Sequence, residues 1–300
     1  MLKIAFDPIY AHPLPPGHRF PMLKYELIPG QLLHEGVITQ SNLFSPVSVD
    51  EENILLTHDA NYWQQLRDLT LSSKEQRRIG FPLSAQLVER EVRIAQGTID
   101  GCLYAFEYGV AFNAAGGTHH AGTNWGEGFC MLNDQAIAAN YLLNNNLAKR
   151  ILIVDLDVHQ GNGTAQIFKD EPRVFTFSMH GDKNFPFRKE RSDLDLSLAD
   201  GIGDNEYLNL LSSTLPGLIT NHQPDLIFYL AGVDILESDK LGKLALSKDA
   251  CKQRDLFVFE QCKSNNIPVQ VSMGGGYSPQ IKDIVEAHCN TYRAANDLYF

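Results

Sequence analysis

The stretch Ile151-Leu-Ile-Val-Asp155-Leu-Asp157-Val-His159-Gln-Gly161-Asn162-Gly163-Thr164 decides the fold. An apolar run ends abruptly in two carboxylates and an imidazole at alternate positions. A short continuous apolar run of this kind reads as a strand buried on both faces, as in parallel sheets. Alternation puts Asp155, Asp157 and His159 on one side of an extended backbone. The end of a buried strand has no structural use for three such groups, because unpaired buried charge is costly. A cation or dedicated partners must balance them, and two hard oxygens with one imidazole suit a divalent metal such as zinc. The glycines and Asn162 that follow break the strand and lead into a short helix over residues 164–168.

Outward from this stretch, further strand candidates are Lys3–Phe6, Val110–Asn113, Val174–Ser178, Leu226–Leu230 and Val269–Ser272. Helical patterns cover Asn61–Leu69, Gln86–Tyr108, Asp134–Asn144, Glu206–Thr220, Lys248–Ser264 and Gln280–Ala294, and Asn133 is placed to cap the third of these. Strands alternating with helices predict an α/β fold, a mostly parallel sheet with helices on both faces. The polar segment Gly181–Asp204 reads as a long loop, and long ordered loops are often functional. The first eighty residues are less regular and carry Pro13, Pro15, Pro16, Pro21 and Pro29. With no internal repeat, low-complexity tract or linker, a single domain over residues 1–300 is expected.

Composition narrows the function. The net charge is −11 and there is no long basic run, which disfavours direct binding of nucleic acid. An acidic surface is compatible with cationic substrates, although many soluble proteins are simply acidic. No apolar segment is long enough to predict a membrane span, and the start lacks the features of a secretory signal. Five scattered cysteines without CxxC spacing predict reduced thiols and a cytoplasmic setting. No heptad or interface stripe indicates an oligomeric state.

In an open parallel sheet, ligands sit beyond the carboxyl ends of the strands. Four strand candidates end there in unusual polar groups. Val110–Asn113 runs into Gly116-Gly-Thr-His119-His120, Ile151–Val154 into Asp155, Asp157 and His159, Leu226–Leu230 into Asp234, and Val269–Met273 into Gly274-Gly-Gly-Tyr277. All four should converge at one edge. Asp157, His159 and Asp234 are the candidate metal ligands, and three protein ligands leave a coordination position open for water or substrate. His119 and His120 are candidate proton-transfer groups. Asp155 and Asn162 are available to hold their outer ring nitrogens. Tyr277 is placed to donate to a developing oxyanion. Phe129, in the glycine-rich turn with Gly128, and Phe185 are candidates for the walls of a narrow apolar channel, and Leu241 for shaping its pocket.

These motifs, with Gly128-Phe129-Cys-Met-Leu-Asn-Asp134 and Ala231-Gly-Val-Asp234, resemble the zinc-dependent histone deacetylase superfamily, which includes acetylpolyamine amidohydrolases and shares its fold with arginases. The segment His12-Pro-Leu-Pro-Pro-Gly-His-Arg19-Phe-Pro-Met and Gly80-Phe-Pro are most similar to class IV deacetylases and their bacterial relatives. The resemblance implies an eight-stranded sheet and one catalytic zinc, with ferrous iron as the alternative, at the base of an acyl-lysine tunnel. It implies Asp157, His159 and Asp234 as ligands, His120 as general base and acid, His119 as its electrostatic partner and Tyr277 as oxyanion donor. Asp155 would stand behind His119, and Asn162 behind His120, where some classes carry aspartate. A structural potassium is implied near Asp155, Asp157, His159, Ser178 and Met179, largely through backbone carbonyls. Gly161 stands where an arginase-like second-metal aspartate would follow the histidine, so one metal is expected.

The function expected is metal-assisted removal of acetyl or longer acyl groups from lysine side chains of proteins or peptides. The alternative is a small N-acyl amine substrate such as an acetylpolyamine. A non-catalytic acyl-lysine binding module is disfavoured by the full set of ligands, histidines and Tyr277. A nucleotide-binding α/β protein would rest on Gly161-Asn-Gly163 alone, and acidic groups stand where phosphates would sit.

Overall fold

The computed structural model describes residues 1–300. Its strands are β1 (Lys3–Ala5), β2 (Leu43–Phe44), β3 (Val110–Asn113), β4 (Ile151–Asp155), β5 (Val174–Gly181), β6 (Leu194–Leu198), β7 (Leu226–Leu230) and β8 (Val269–Ser272). They form one sheet in the order β2-β1-β3-β8-β7-β4-β5-β6, and every pairing is parallel. The helices are α1 (Lys24–His34), α2 (Glu51–Leu55), α3 (Ala60–Arg67), α4 (Ser73–Ile79), α5 (Ala85–Tyr108), α6 (Asp134–Asn144), α7 (Asn162–Phe168), α8 (Asp204–His222), α9 (Lys248–Ser264) and α10 (Ile281–Tyr299). Asn133 caps α6 by accepting from the Ala136 N–H. None of the helices is long and apolar enough to cross a membrane.

Side-chain alternation along β3 shows how the sheet is covered on both faces. The Asn113 side-chain amide donates to the Ile94 carbonyl and the Thr98 hydroxyl of α5. Phe112, its neighbour on the opposite face, stacks on Tyr292 of α10 and meets Phe259 of α9 edge-on. Strands β3, β4, β7 and β8 are buried at every position, which explains why they read as continuous apolar runs rather than alternating ones.

Three expectations are corrected. The segment Gly181–Asp204 is not wholly a loop, because it contains β6, a half-buried edge strand in register with the end of β5. Leu194-Asp-Leu196-Ser-Leu198 carries the two-residue alternation of such a strand, in a polar context that masked it. The extended backbone expected through His159 stops at Asp155. The N–H groups of Asp157 and His159 bond to the carboxylates of Asp155 (3.1 Å) and Asp157 (3.0 Å) instead of to a neighbouring strand, so the chain turns. The first eighty residues are more helical than their prolines indicated. Helix α1 tolerates Pro29 while burying Tyr25, Ile28 and Leu32, and α4 starts at a reciprocal capping box between Ser72 and Glu75.

The topology places the chemistry. The four strands whose carboxyl ends carry polar groups are four consecutive neighbours, β3-β8-β7-β4, in the middle of the sheet. The loops that follow them therefore meet at one edge.

Candidate metal centre and active site

Asp157 and His159 come from the turn after β4, and Asp234 from the loop after β7, the adjacent strand. One ligand atom from each lies within 4.8 Å of the others, and all three residues are buried. His159 Nδ1 is 3.0 Å from Asp157 Oδ1 and 3.1 Å from Asp234 Oδ2. Backbone N–H groups hold the carboxylates in place: Gly275 donates to Asp157 Oδ2 (2.7 Å) and Val158 to Asp234 Oδ1 (3.0 Å). A Cβ on Gly275 would overlap Asp234 Oδ2, so the loop after β8 can approach this closely only as glycine.

The electrostatics call for a positive centre between the carboxylates. Burial and the neighbouring Asp157 charge push Asp234 up to about 7. Burial alone would depress the His159 pKa, but hydrogen bonds to Asp157 and Asp234 raise it to about 10. Two carboxylate oxygens with one imidazole nitrogen make a donor set that fits a divalent metal with an open position. A Cβ at Gly161 would overlap Asp155 Oδ2, which leaves no room for the further carboxylate a second metal would need.

His119 and His120 sit side by side, ring centroids 4.1 Å apart, in the loop after β3. Each has a different partner on Nδ1: Asp155 Oδ2 for His119 and Asn162 Oδ1 for His120, both at 2.7 Å. The consequences diverge. Burial lowers the His119 pKa, but the Asp155 charge and hydrogen bond outweigh it, and the net shift is upward. Burial, reinforced by the charges of His119 and His159, holds His120 well below the usual histidine value. One imidazole favours its proton and the other releases it.

Tyr277 completes the base of a cavity of about 400 Å³ whose lining includes His120, His159, Gly128, Phe129, Phe185 and Leu241. Phe185 meets the His120 ring edge-on, with centroids 4.9 Å apart. Burial and the Asp234 and Asp157 charges raise the Tyr277 pKa well above its usual value, so the phenol keeps its proton at neutral pH. A smaller cavity of about 40 Å³ shares His120, Phe129, His159 and Tyr277 and extends past Gly275 towards Tyr25. Ser178 lies in register beside Asp155 on β5, and its hydroxyl pairs with His180 (2.9 Å). Met179 is buried next to it.

Four supporting residues escaped the sequence reading. Asp134 accepts from the Thr118 N–H (2.9 Å) and hydroxyl (2.7 Å), fixing the loop that carries the histidine pair. Its signal was a carboxylate directly after an N-cap asparagine. Arg254, fully buried on α9, donates to the carbonyls of Gly232 (2.6 Å) and Leu156 (3.3 Å), beneath both ligand loops. Buried Lys24 donates to the Gly274 carbonyl (2.9 Å), and burial lowers its pKa to about 8. Nothing in the local pattern of α1 distinguishes that lysine from a solvated one. Glu127 accepts from the Asn162 side-chain amide (2.6 Å) and from Arg78 Nε (2.6 Å). Its place between two glycines was visible, but its partners lie 35 and 49 residues away.

An all-parallel sheet bearing a carboxylate–imidazole cluster, a histidine pair and a tyrosine at its central strand ends defines a hydrolytic site. A histone deacetylase domain matches residues 18–292, and the chain belongs to the histone deacetylase family. It is accordingly a hydrolase acting on amide bonds. It is 47% identical over 296 residues to an uncharacterized protein of Picosynechococcus, covering 99% of each chain. It is 31% identical over 270 residues to histone deacetylase 2 of Arabidopsis thaliana, covering 87% of this chain and 70% of that one. The crystal structure of a histone deacetylase homologue complexed with SAHA superposes with a TM-score of 0.84 at 25% identity, over 99% of this chain and 84% of that one.

Proposed function

We propose that the protein is a zinc-dependent, class IV-like deacylase that removes acetyl groups from lysine side chains of proteins or peptides. The observation that carries this reading is the cavity of about 400 Å³ that gathers His120, His159 and Tyr277 with Gly128, Phe129, Phe185 and Leu241. A slender alkyl stem suits aromatic walls, and a Cβ on Gly128 would lie 2.7 Å from His120 Cδ2, so glycine keeps the passage open. The inner cavity of about 40 Å³ favours a short acyl group over a fatty one.

Asp157, His159 and Asp234 would hold the metal, whose Lewis acidity activates water and polarises the acyl carbonyl. Asn162 fixes His120 Nδ1, which leaves Nε2 as the nitrogen that takes the water proton and returns it to the departing amine. Asp155 outweighs burial and raises the proton affinity of His119, and positive charge on His119 lowers that of His120. The Tyr277 O–H donates to the oxyanion as the carbonyl becomes tetrahedral. A structural potassium belongs to the same reading. Gly181 N–H bonds to the Val158 carbonyl (2.9 Å), which brings the 155–159 turn against the Ser178–Met179 stretch of β5, as a site lined by backbone oxygens requires. Five free, buried cysteines fit a reducing, cytoplasmic setting.

The test is a panel of acyl-lysine peptides, acetyl to myristoyl, with acetylated polyamines alongside. Turnover should be greatest for acetyl-lysine peptides, vanish with a chelator and return with zinc. Activity that survives full chelation, or none in the zinc-loaded protein, rejects the assignment.

A further inference from the structure

The mouth of the catalytic cavity is basic although the protein is acidic. The chain holds 25 Lys and Arg against 36 Asp and Glu. Yet of the 13 residues lining the cavity, Arg19, Arg78, Lys183 and Lys243 are cationic and none is Asp or Glu. A lining drawn at the chain's own composition would carry more acids than bases.

The four cations are not equally free. Arg78 is tied to Glu127 at 2.6 Å. Lys183 lies 3.8 Å from Asp200, but with side chains 68% and 39% exposed that pair is weak. The Arg19 guanidinium rests over the Phe129 ring at 5.0 Å, and Lys243 Nζ donates to the Lys183 carbonyl at 3.2 Å; neither forms a salt bridge. Arg19 reaches the mouth from the segment before α1, and Lys183 and Lys243 from the loops after β5 and β7. Between them stands Phe187, 91% exposed. Asp239, in the loop after β7, is outside the lining, and its carboxylate accepts the N–H groups of Leu241, Gly242 and Tyr277. Asp182, next to Lys183 in the chain, is outside the lining.

We propose that the preferred substrate presents negative charge beside the acylated amine: an acyl-lysine flanked by carboxylates, not a basic tail or a polycationic acyl-polyamine. This inference rests on the deacylase reading and names its substrate class. A cavity mouth of one sign with low-dielectric walls concentrates ligands of the opposite sign and repels those of its own. At physiological ionic strength screening acts over about 8 Å, so the effect is confined to groups adjoining the acyl-lysine.

The experiment compares kcat/KM for one acetyl-lysine peptide with Glu, Ser or Lys on both flanks. Free Nε-acetyl-lysine, which carries its own α-carboxylate, and an acetylated polyamine complete the set. The Glu-flanked peptide should exceed the Lys-flanked one by on the order of tenfold at low salt, and the gap should close as salt rises. If free acetyl-lysine matches the Glu-flanked peptide, the carboxylate recognised is a small molecule's; if it lags, it is a peptide's. The double reversal Lys183→Glu with Lys243→Glu should invert the Glu-to-Lys ratio. That ratio is internal to one preparation and is unaffected by a smaller folded fraction. A wild-type ratio at or below one, or a ratio unmoved by the reversal, overturns the inference while leaving the deacylase reading intact. No turnover of any substrate by the zinc-loaded protein overturns both.

Discussion

At Asn162 the site handles charge in an indirect way. A neutral amide cannot counter an imidazolium as a carboxylate does, yet its side chain bonds outward to Glu127, which is itself paired with Arg78. The carboxylate is thus one residue removed from His120, and a guanidinium compensates it. Glu127 fixes which end of the amide faces His120 Nδ1. Replacing it by alanine should lower kcat by about tenfold while KM holds, as loss of a supporting hydrogen bond does; initial rates with circular dichroism as a fold control would check this. Tyr277→Phe should cost roughly a hundredfold in kcat with unchanged melting, and undiminished turnover would exclude its oxyanion role. Asp157, His159, Asp234, His119, His120 and Tyr277 stood out in the chain because polar groups at the ends of apolar runs are conspicuous. Glu127, Arg254 and Lys24 did not, because their meaning lies in partners far away in the chain.

Among the elements, α4 links the N-terminal region to the channel wall. Its end accepts backbone bonds from the channel turn, Gly128 N–H to the Arg78 carbonyl (3.1 Å) and Phe129 N–H to the Ile79 carbonyl (2.7 Å). Ser72→Ala removes its cap and should lower stability by about 1 kcal/mol, seen in denaturant titration at unchanged m-value. The Ser72-x-x-Glu75 spacing was a readable start signal, but the surrounding charged residues offer too little apolar periodicity to draw attention to it. The loop after β8 is less forgiving. Gly275→Ala forces a methyl against Asp234, and the expected result is loss of stoichiometric zinc in elemental analysis while the far-ultraviolet spectrum is retained. Retained zinc would show that the loop can withdraw without disturbing the ligands.

Over the whole molecule, the six strands read from apolar runs all form, and that they converge follows from their polar endings. Their order in space was not legible, since β3, β8, β7 and β4 are neighbours through crossovers rather than through sequence. The edge strands were missed because exposure on one side dilutes their apolar signal. The proposed metal ligands join strands distant in the chain, so an ion that binds only the folded form must stabilise the entire domain. At a hundredfold excess over its Kd this amounts to about 2.7 kcal/mol. Chelation should therefore lower the melting temperature and zinc restore it, whereas in Asp157→Ala both additions should leave it unmoved.

Arg254 gives this arrangement a last consequence. From beneath, its guanidinium braces the shoulders of both ligand loops. One side chain thus ties the turn after β4 to the loop after β7, so a disturbance of either loop is felt at the other.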